Sequence, residues 1–372
     1  MIYKPILRII IPILFAGSLV MGCRVEKTSL STIEPQYPTN TIRTIRPTKI
    51  EQNAIEPVTQ SVVVSPALVA TINKITPTPT KASLQLTYIS DRHSGLYGVY
   101  AMEVNCLETK EPCLGESKLL FEWDDGVSRI NWSPDGKRIA FISGMYGGIL
   151  FLADWNGENA IQITGTCAAA DSPQWSPDGT QVAFIYIPAR PGCEMLDYPQ
   201  IRIYDSNTGE IIQILNEAYS PRRIYWLPDS KFAYIAMNSE TDRTDMINIV
   251  EADGTLIQQL PNNANDYSHI LDATFSPDGQ QVAFMASINP TFGRGTDDIY
   301  VTNLKGSDTI NLTNGSGINL APAWSPIEDW IAFESNRNGD YEIYLIKTDD
   351  QELIEITHNP ASETDPAWRI LP

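Results

Sequence analysis

One short phrase recurs through the last two thirds of this 372-residue chain. It reads Trp132-Ser133-Pro134-Asp135-Gly136 and then Trp175-Ser176-Pro177-Asp178-Gly179. Weaker copies follow as Trp226-Leu227-Pro228-Asp229, Phe275-Ser276-Pro277-Asp278-Gly279, Trp324-Ser325-Pro326 and Asp365-Pro366-Ala367-Trp368. Successive aromatics are 43, 51, 49, 49 and 44 residues apart. A repeat of about 40–50 residues with β-type sequence inside it belongs to a propeller, a ring of four-stranded blades. Six copies therefore predict an all-β, six-bladed ring.

The phrase reads as a strand running into a tight hairpin. Pro presets φ at the first corner, Asp suits the second, and Gly supplies the positive φ that closes the turn. A second strand follows each time with a small residue between two large ones: Ile139-Ala140-Phe141, Val182-Ala183-Phe184, Phe232-Ala233-Tyr234, Val282-Ala283-Phe284 and Ile331-Ala332-Phe333. The leading aromatic is expected to pack between blades. In the fifth copy Ile327-Glu328 replaces Asp-Gly, which predicts a different turn. Leu86 to Arg92 parallels Ile331 to Arg337, and Val99-Tyr100 parallels Ile343-Tyr344. The N-terminal part of 84–372 is thus expected to supply strands two to four of the blade whose first strand is 364–369. That clasp would bury both sheet edges.

The stretch Ser335-Asn336-Arg337-Asn338-Gly339-Asp340-Tyr341-Glu342-Ile343-Tyr344, with Thr364-Asp365-Pro366-Ala367-Trp368, resembles the TolB-like, WD40-like (PD40) propeller repeat family. The resemblance covers about 84–372 and implies the fold. Similar propellers precede the catalytic domain of prolyl-oligopeptidase-type peptidases. Residues 24–83 depart from the family, being too short and polar for the TolB N-terminal domain, so TolB's partners are not carried over.

Lys4 and Arg8 precede an apolar run from Ile9 to Val20 that ends at Gly22-Cys23. Residues 1–22 read as a secretory signal peptide. Leu19-Val20-Met21-Gly22-Cys23 resembles a bacterial lipobox, which makes Cys23 the lipidated residue; an ordinary signal or an uncleaved anchor is the alternative. Residues 23–83, rich in Thr, Ser and Pro, form a stalk that cannot bury a core and is expected to be disordered. It would span roughly 40 Å at about 5–6 Å × √n. These readings place the protein on the extracytoplasmic side of a bacterial membrane.

Residues 84–372 carry 17 basic against 41 acidic residues, a net charge of −24. Such a body repels nucleic acid and anionic lipid, which leaves the anchor as its membrane contact and a monomer as the expected state. Acidic turns such as Asp154-Trp155-Asn156-Gly157-Glu158 offer Ca²⁺ a place but read better as blade hairpins, and no cofactor is expected. Four further cysteines in an exported domain suggest disulfides. Of three possible pairings, the blade arrangement favours Cys106–Cys113 and Cys167–Cys193.

No Gly-x-Ser-x-Gly, His-Glu-x-x-His, Cys-x-x-Cys or phosphate-binding loop occurs, and no hydrolase domain follows the last blade in this sequence, so no catalytic residue is assigned. The three histidines, His93, His269 and His358, fall on one blade map face, opposite the Ser-Pro-Asp-Gly turns. His93 and His358 are the metal candidates there; solvated loop histidines are the plainer reading. Some propellers of this kind, such as oligogalacturonate lyases, use a denser set. The same face carries the long loops 187–198, 237–245, 261–270 and 287–296, with Arg190, Tyr198, Tyr267, His269, Phe292 and Arg294 as binding candidates. Arg129, Arg223, Asp272 and Asp365 stand three residues before their repeat aromatics. They either line the channel mouth for a polar ligand or close it by pairing with one another. The expected function is a non-catalytic module binding a protein or glycan of the cell envelope. A polysaccharide lyase or hydrolase, or an envelope assembly factor, is the alternative.

Overall fold

The computed structural model describes residues 83–92, 97–105, 113–144, 148–190, 194–195, 199–215, 220–237, 245–261, 267, 269–287, 297–327 and 329–372. The repeat begins with its turn. Ser133, Ser176 and Ser276 each donate Oγ–H to the aspartate two residues on, at 2.7, 2.6 and 2.6 Å. Those carboxylates then accept the backbone N–H of Lys137, Thr180 and Gln280. Gly136, Gly179 and Gly279 sit at φ 66°, 70° and 66°, where a glycine carries no steric cost. In the fifth copy Ser325 Oγ is buried with no hydrogen-bond partner among the described residues, and Ile327 stands where the aspartate acceptor is in the other copies.

Each turn joins the first two strands of an antiparallel blade. Blade one comprises Val127–Trp132, Arg138–Ser143, Ile149–Asp154 and Ile161–Gln162. Blade two comprises Ala169–Trp175, Gln181–Ile187, Gln200–Asp205 and Ile211–Leu215; blade three, Arg223–Trp226, Phe232–Met237, Asp245–Val250 and Leu256–Leu260. Blade four comprises His269–Phe275, Gln281–Ser287, Asp297–Asn303 and Ile310–Asn311; blade five, Asn319–Trp324, Trp330–Ser335, Glu342–Lys347 and Leu353–Glu355. Blade six closes the ring as expected. Its first strand, Glu363–Ile370, pairs with Leu84–Ser90, followed by Gly98–Asn105 and Lys118–Glu122.

The first strands of successive blades touch one another and form the inner wall. The central alanines Ala140, Ala183, Ala233, Ala283 and Ala332 are fully buried. Six apolar clusters fill the six blade interfaces, and each repeat aromatic packs toward the preceding blade. The interface between blades six and one, built from Ile89, Val99, Trp132 and Phe141 among others, is as complete as the rest. There the Trp132 indole N–H donates to Thr87 Oγ1 at 2.8 Å. The Asp154 to Glu158 stretch is the expected hairpin, with Gly157 N–H donating to Asp154 O at 2.9 Å.

Four inner strands bulge at one repeat position. In blades one, two, five and six the register slips where Arg129, Ser172, Ala321 and Asp365 adopt φ of 53°, 52°, 48° and 48°. Non-glycine residues rarely occupy this region, and a bulge re-aims the side chain it carries. All four stand three residues before their aromatic. The fold thus spends backbone strain on the layer of residues that rings the channel.

Candidate functional site: a central cavity closed by an ion-pair layer

Going around the ring, the position three before the aromatic is Arg129, Ser172, Arg223, Asp272, Ala321 and Asp365. The two cations stand in blades one and three and the two anions in blades four and six, so opposite charges face one another across the axis. Arg129 reaches Asp365 at 3.0 Å, Asp171 at 3.4 Å and Asp272 at 3.9 Å. Its backbone N–H also donates to Asp365 Oδ2. Arg223 reaches Asp171 at 3.2 Å and Asp272 at 3.5 Å. The Tyr225 hydroxyl donates to Asp272 Oδ1 at 2.8 Å and accepts from Ala273 N–H at 2.8 Å.

Behind this layer lies Glu334, 8% exposed, whose Oε2 accepts the Asp365 backbone N–H at 2.8 Å. Burial, and then the charge of Asp365, pushes its carboxyl up to about 8. Burial alone would lower the Arg129 pKa, but Asp365, Asp272 and Asp171 raise it well above its ordinary value. Tyr225 is raised by burial and by Asp272. The layer is therefore a fixed set of charges whose orientations are set by one another.

A cavity of about 380 Å³ extends from Arg129, Arg223, Asp272 and Asp365 to the Ser133-Pro134 and Pro326 turns. Its wall between these ends includes Pro173, Pro322 and Pro366, with Asn131, Gln174 and Thr274 as polar groups. Asn131 is fixed, donating to Gln174 Oε1 at 3.2 Å and accepting Trp175 N–H at 2.8 Å. The four charged residues thus come together as expected, and they do pair. Among the described residues they form one end of a cavity that runs toward the turns.

With this architecture in view, the comparisons with known proteins are specific. Residues 227–370 match the TolB beta propeller domain family, PD40. The crystal structure of TolB from Acinetobacter baumannii superposes with a TM-score of 0.59 at 17% identity, covering 77% of this chain and 66% of that one. The propeller is of the TolB type. A Tol-Pal system protein TolB from Desulfosudis oleivorans is 31% identical over 118 residues, 32% of this chain and 24% of that protein. An uncharacterized peptidase, YuxL, from Bacillus subtilis is 29% identical over 101 residues, 27% of this chain and 15% of that protein. The matched stretches therefore span a quarter or less of these two relatives.

Other expected site residues of this TolB-type propeller are dispersed. His269 begins the inner strand of blade four, with Nδ1 3.5 Å from the buried Asp245 carboxylate, while exposed His358 contacts Glu355 at 3.0 Å. Each is occupied by a local carboxylate. Among the described residues no group of three His, Cys, Asp or Glu side chains is placed to hold a metal ion. Tyr267, expected on a binding loop, instead packs edge-on against Phe284 and Tyr300 at 5.3 and 5.0 Å. Arg190 lies in a two-residue ladder opposite Glu194, a small hairpin inside the expected loop. His93, Tyr198, Phe292, Arg294, Cys23, Cys106 and Cys193 lie outside the described residues, as does the Cys113 side chain. Cys167 is disulfide-bonded. Asp171, Tyr225 and Glu334 were missed from the sequence. Glu334 had a signal: its repeat position is Ile142, Ile185, Ile235, Met285 and Ile89 in the other blades.

Proposed function

We propose that this chain is an exported, envelope-associated binding propeller without catalysis of its own, which takes a polar group of a protein partner into its central cavity. The observation that carries this reading is the ion-pair layer. Its two arginines and three aspartates are committed to one another at 3.0–3.9 Å, which suits recognition by a preorganised surface. The resemblance to Tol-Pal system proteins supports an envelope setting. In this reading Cys23 carries the lipid anchor and residues 24–83 link it to the propeller.

A photo-cross-linking residue at Pro134, which is exposed on the cavity rim, tests it in intact cells. The same residue at Leu353, exposed on the outer edge of blade five, is the comparison. The expected outcome is a discrete envelope-protein adduct from position 134 alone. Identical adducts from both positions, a glycan adduct, or turnover of an envelope glycan by the purified protein would each overturn it.

A further inference from the structure

Two buried carboxylates meet where blade five adjoins blade six. Glu342 is 4% and Glu363 0% exposed, and Oε2 of each has no hydrogen-bond partner among the described residues. Their Oε1 atoms share a donor residue, since Asn359 gives its backbone N–H to Glu342 and its Nδ2–H to Glu363, both at 2.7 Å. Ser90 and Arg92 also donate to Glu363 Oε1, at 3.1 and 2.8 Å. A buried oxygen without a partner is costly, and more so when charged.

The junction between blades four and five carries the same constellation with one difference. Asp298 precedes Ile299-Tyr300 as Glu342 precedes Ile343-Tyr344, and it accepts Gly315 N–H at 2.9 Å as Glu342 accepts that of Asn359. Asn319 and Glu363 each stand five residues before their repeat aromatic. Ser335 and Arg337 donate to Asn319 Oδ1 at 2.8 and 2.9 Å, as Ser90 and Arg92 donate to Glu363 Oε1. Asn319 then donates Nδ2–H to Asp298 Oδ1 at 3.3 Å. Glu363 has an oxygen where Asn319 has that nitrogen, and Glu342 is the counterpart of its acceptor. In the other four blades the position of Glu363 holds Val127, Ala170, Pro221 and Ile270.

We propose that one proton joins this pair, donated from Glu363 Oε2 to Glu342 Oε2, and that it is a pH-sensitive latch on the seam between blade five and the clasp. Two carboxylates on one donor residue repel when both are charged, and a single proton removes the repulsion and satisfies both Oε2 atoms. Burial holds the Glu363 carboxyl above its ordinary range, against the opposing pull of Asn359, Arg92 and Ser90. The stability the proton brings is complete below the ordinary carboxylate range. It is lost as pH rises through the raised value, when the proton leaves for solvent and two negative charges remain at the seam. Arg92, Tyr88 and Tyr100 face the pair from the clasp, and Asp91 lies beside it through Ser362. Tyr341, Tyr344, Glu355 and His358 face it from blade five and the loop that follows. Of these, His358 is the group whose ordinary titration falls near neutral pH.

The test uses a full-length parent carrying Glu334→Gln and His358→Gln, which silence the acid behind the channel layer and that histidine. Infrared difference spectra of this parent against the parent with Glu363→Gln are expected to show one protonated-carboxyl band at pH 6 that disappears as pH rises. In urea, Glu363→Gln and Glu342→Gln are each expected to match the parent at pH 5 and to exceed it by a margin that widens toward pH 9. The double variant is expected to gain no more than the better single one, because one amide already supplies the missing hydrogen. Absence of the band at pH 6, or gains that add in the double variant, overturns the shared proton. So does Ca²⁺ that raises the parent's midpoint and leaves the Glu363→Gln variant unmoved, because a cation would then bridge the two oxygens. The latch does not depend on what the central cavity binds, so its failure leaves the binding reading standing.

Discussion

At the residue scale the decisive side chain is Glu334. Its folded-state carboxyl lies at about 8 against an ordinary 4.5, with burial as the main cause and Asp365 next. A raised carboxyl pKa means that the folded chain holds a proton the unfolded chain gives up. Whatever stability this acid allows is thus complete below about pH 4.5 and is lost as pH rises through about 8. Glu334→Gln keeps the hydrogen-bonding shape and cannot ionise. Wild type and variant are expected to unfold alike in urea at pH 5, with the variant ahead at pH 9 by up to about 4 kcal/mol. Urea midpoints at the two pH values check it, and a difference that does not change with pH would refute the assignment. Glu334 was legible only as an interruption in an apolar column. Asp171 offered nothing comparable, because a charge one residue before the ring position is meaningful only once the register slip at Ser172 places it within reach of Arg129 and Arg223.

At the element scale the turns carry the most transferable chemistry. Ser176 Oγ–H donates to Asp178, and this bond is the first cause holding the Asp178 carboxyl below its usual range, with the Thr180 bonds adding to it. Ser325 occupies the same place, and its buried hydroxyl has no partner among the described residues. Ser176→Ala is therefore expected to cost about 1–2 kcal/mol, whereas Ser325→Ala is expected to be neutral or stabilising. Thermal or denaturant unfolding of the two variants decides this, and equal losses would contradict it. The blades were legible in the sequence because turn chemistry and alternation are local. The bulges were not, since a register slip depends on the partner strand. Hindsight supplies one local mark: Ser172-Pro173, Ala321-Pro322 and Asp365-Pro366 each place a residue without an N–H just after the left-handed position.

At the scale of the whole molecule, blade six decides whether six sheets become a ring, because it joins strands almost three hundred residues apart. The pairing of 84–90 with 363–370 was readable from the parallel between Leu86–Arg92 and Ile331–Arg337. The arginine that locks the next interface was not, because its aromatic and carbonyl partners belong to another blade. Arg369, 5% exposed, stacks between Trp132 and Trp155 at 4.8 and 4.9 Å. It donates to Gly136 O at 2.8 Å and to Gln85 Oε1 at 2.9 Å. The Gly136 turn lies so close that a Cβ there would stand 1.8 Å from Ile370 O. Arg138 makes the matching contact between blades one and two, stacking on Trp175 at 4.4 Å and donating to Gly179 O at 2.7 Å. Arg369→Ala orphans the Gly136 carbonyl and Gln85 Oε1 and removes two indole stacks, whereas Arg138→Ala orphans one carbonyl and one stack, so costs of about 3 and about 2 kcal/mol are expected. Only the first loosens the clasp. Hydrogen exchange in 84–90 and 363–370 is expected to accelerate far more in Arg369→Ala than in Arg138→Ala at matched loss of stability. Equal acceleration in the two variants would show that the ring is closed by the strand pairing alone.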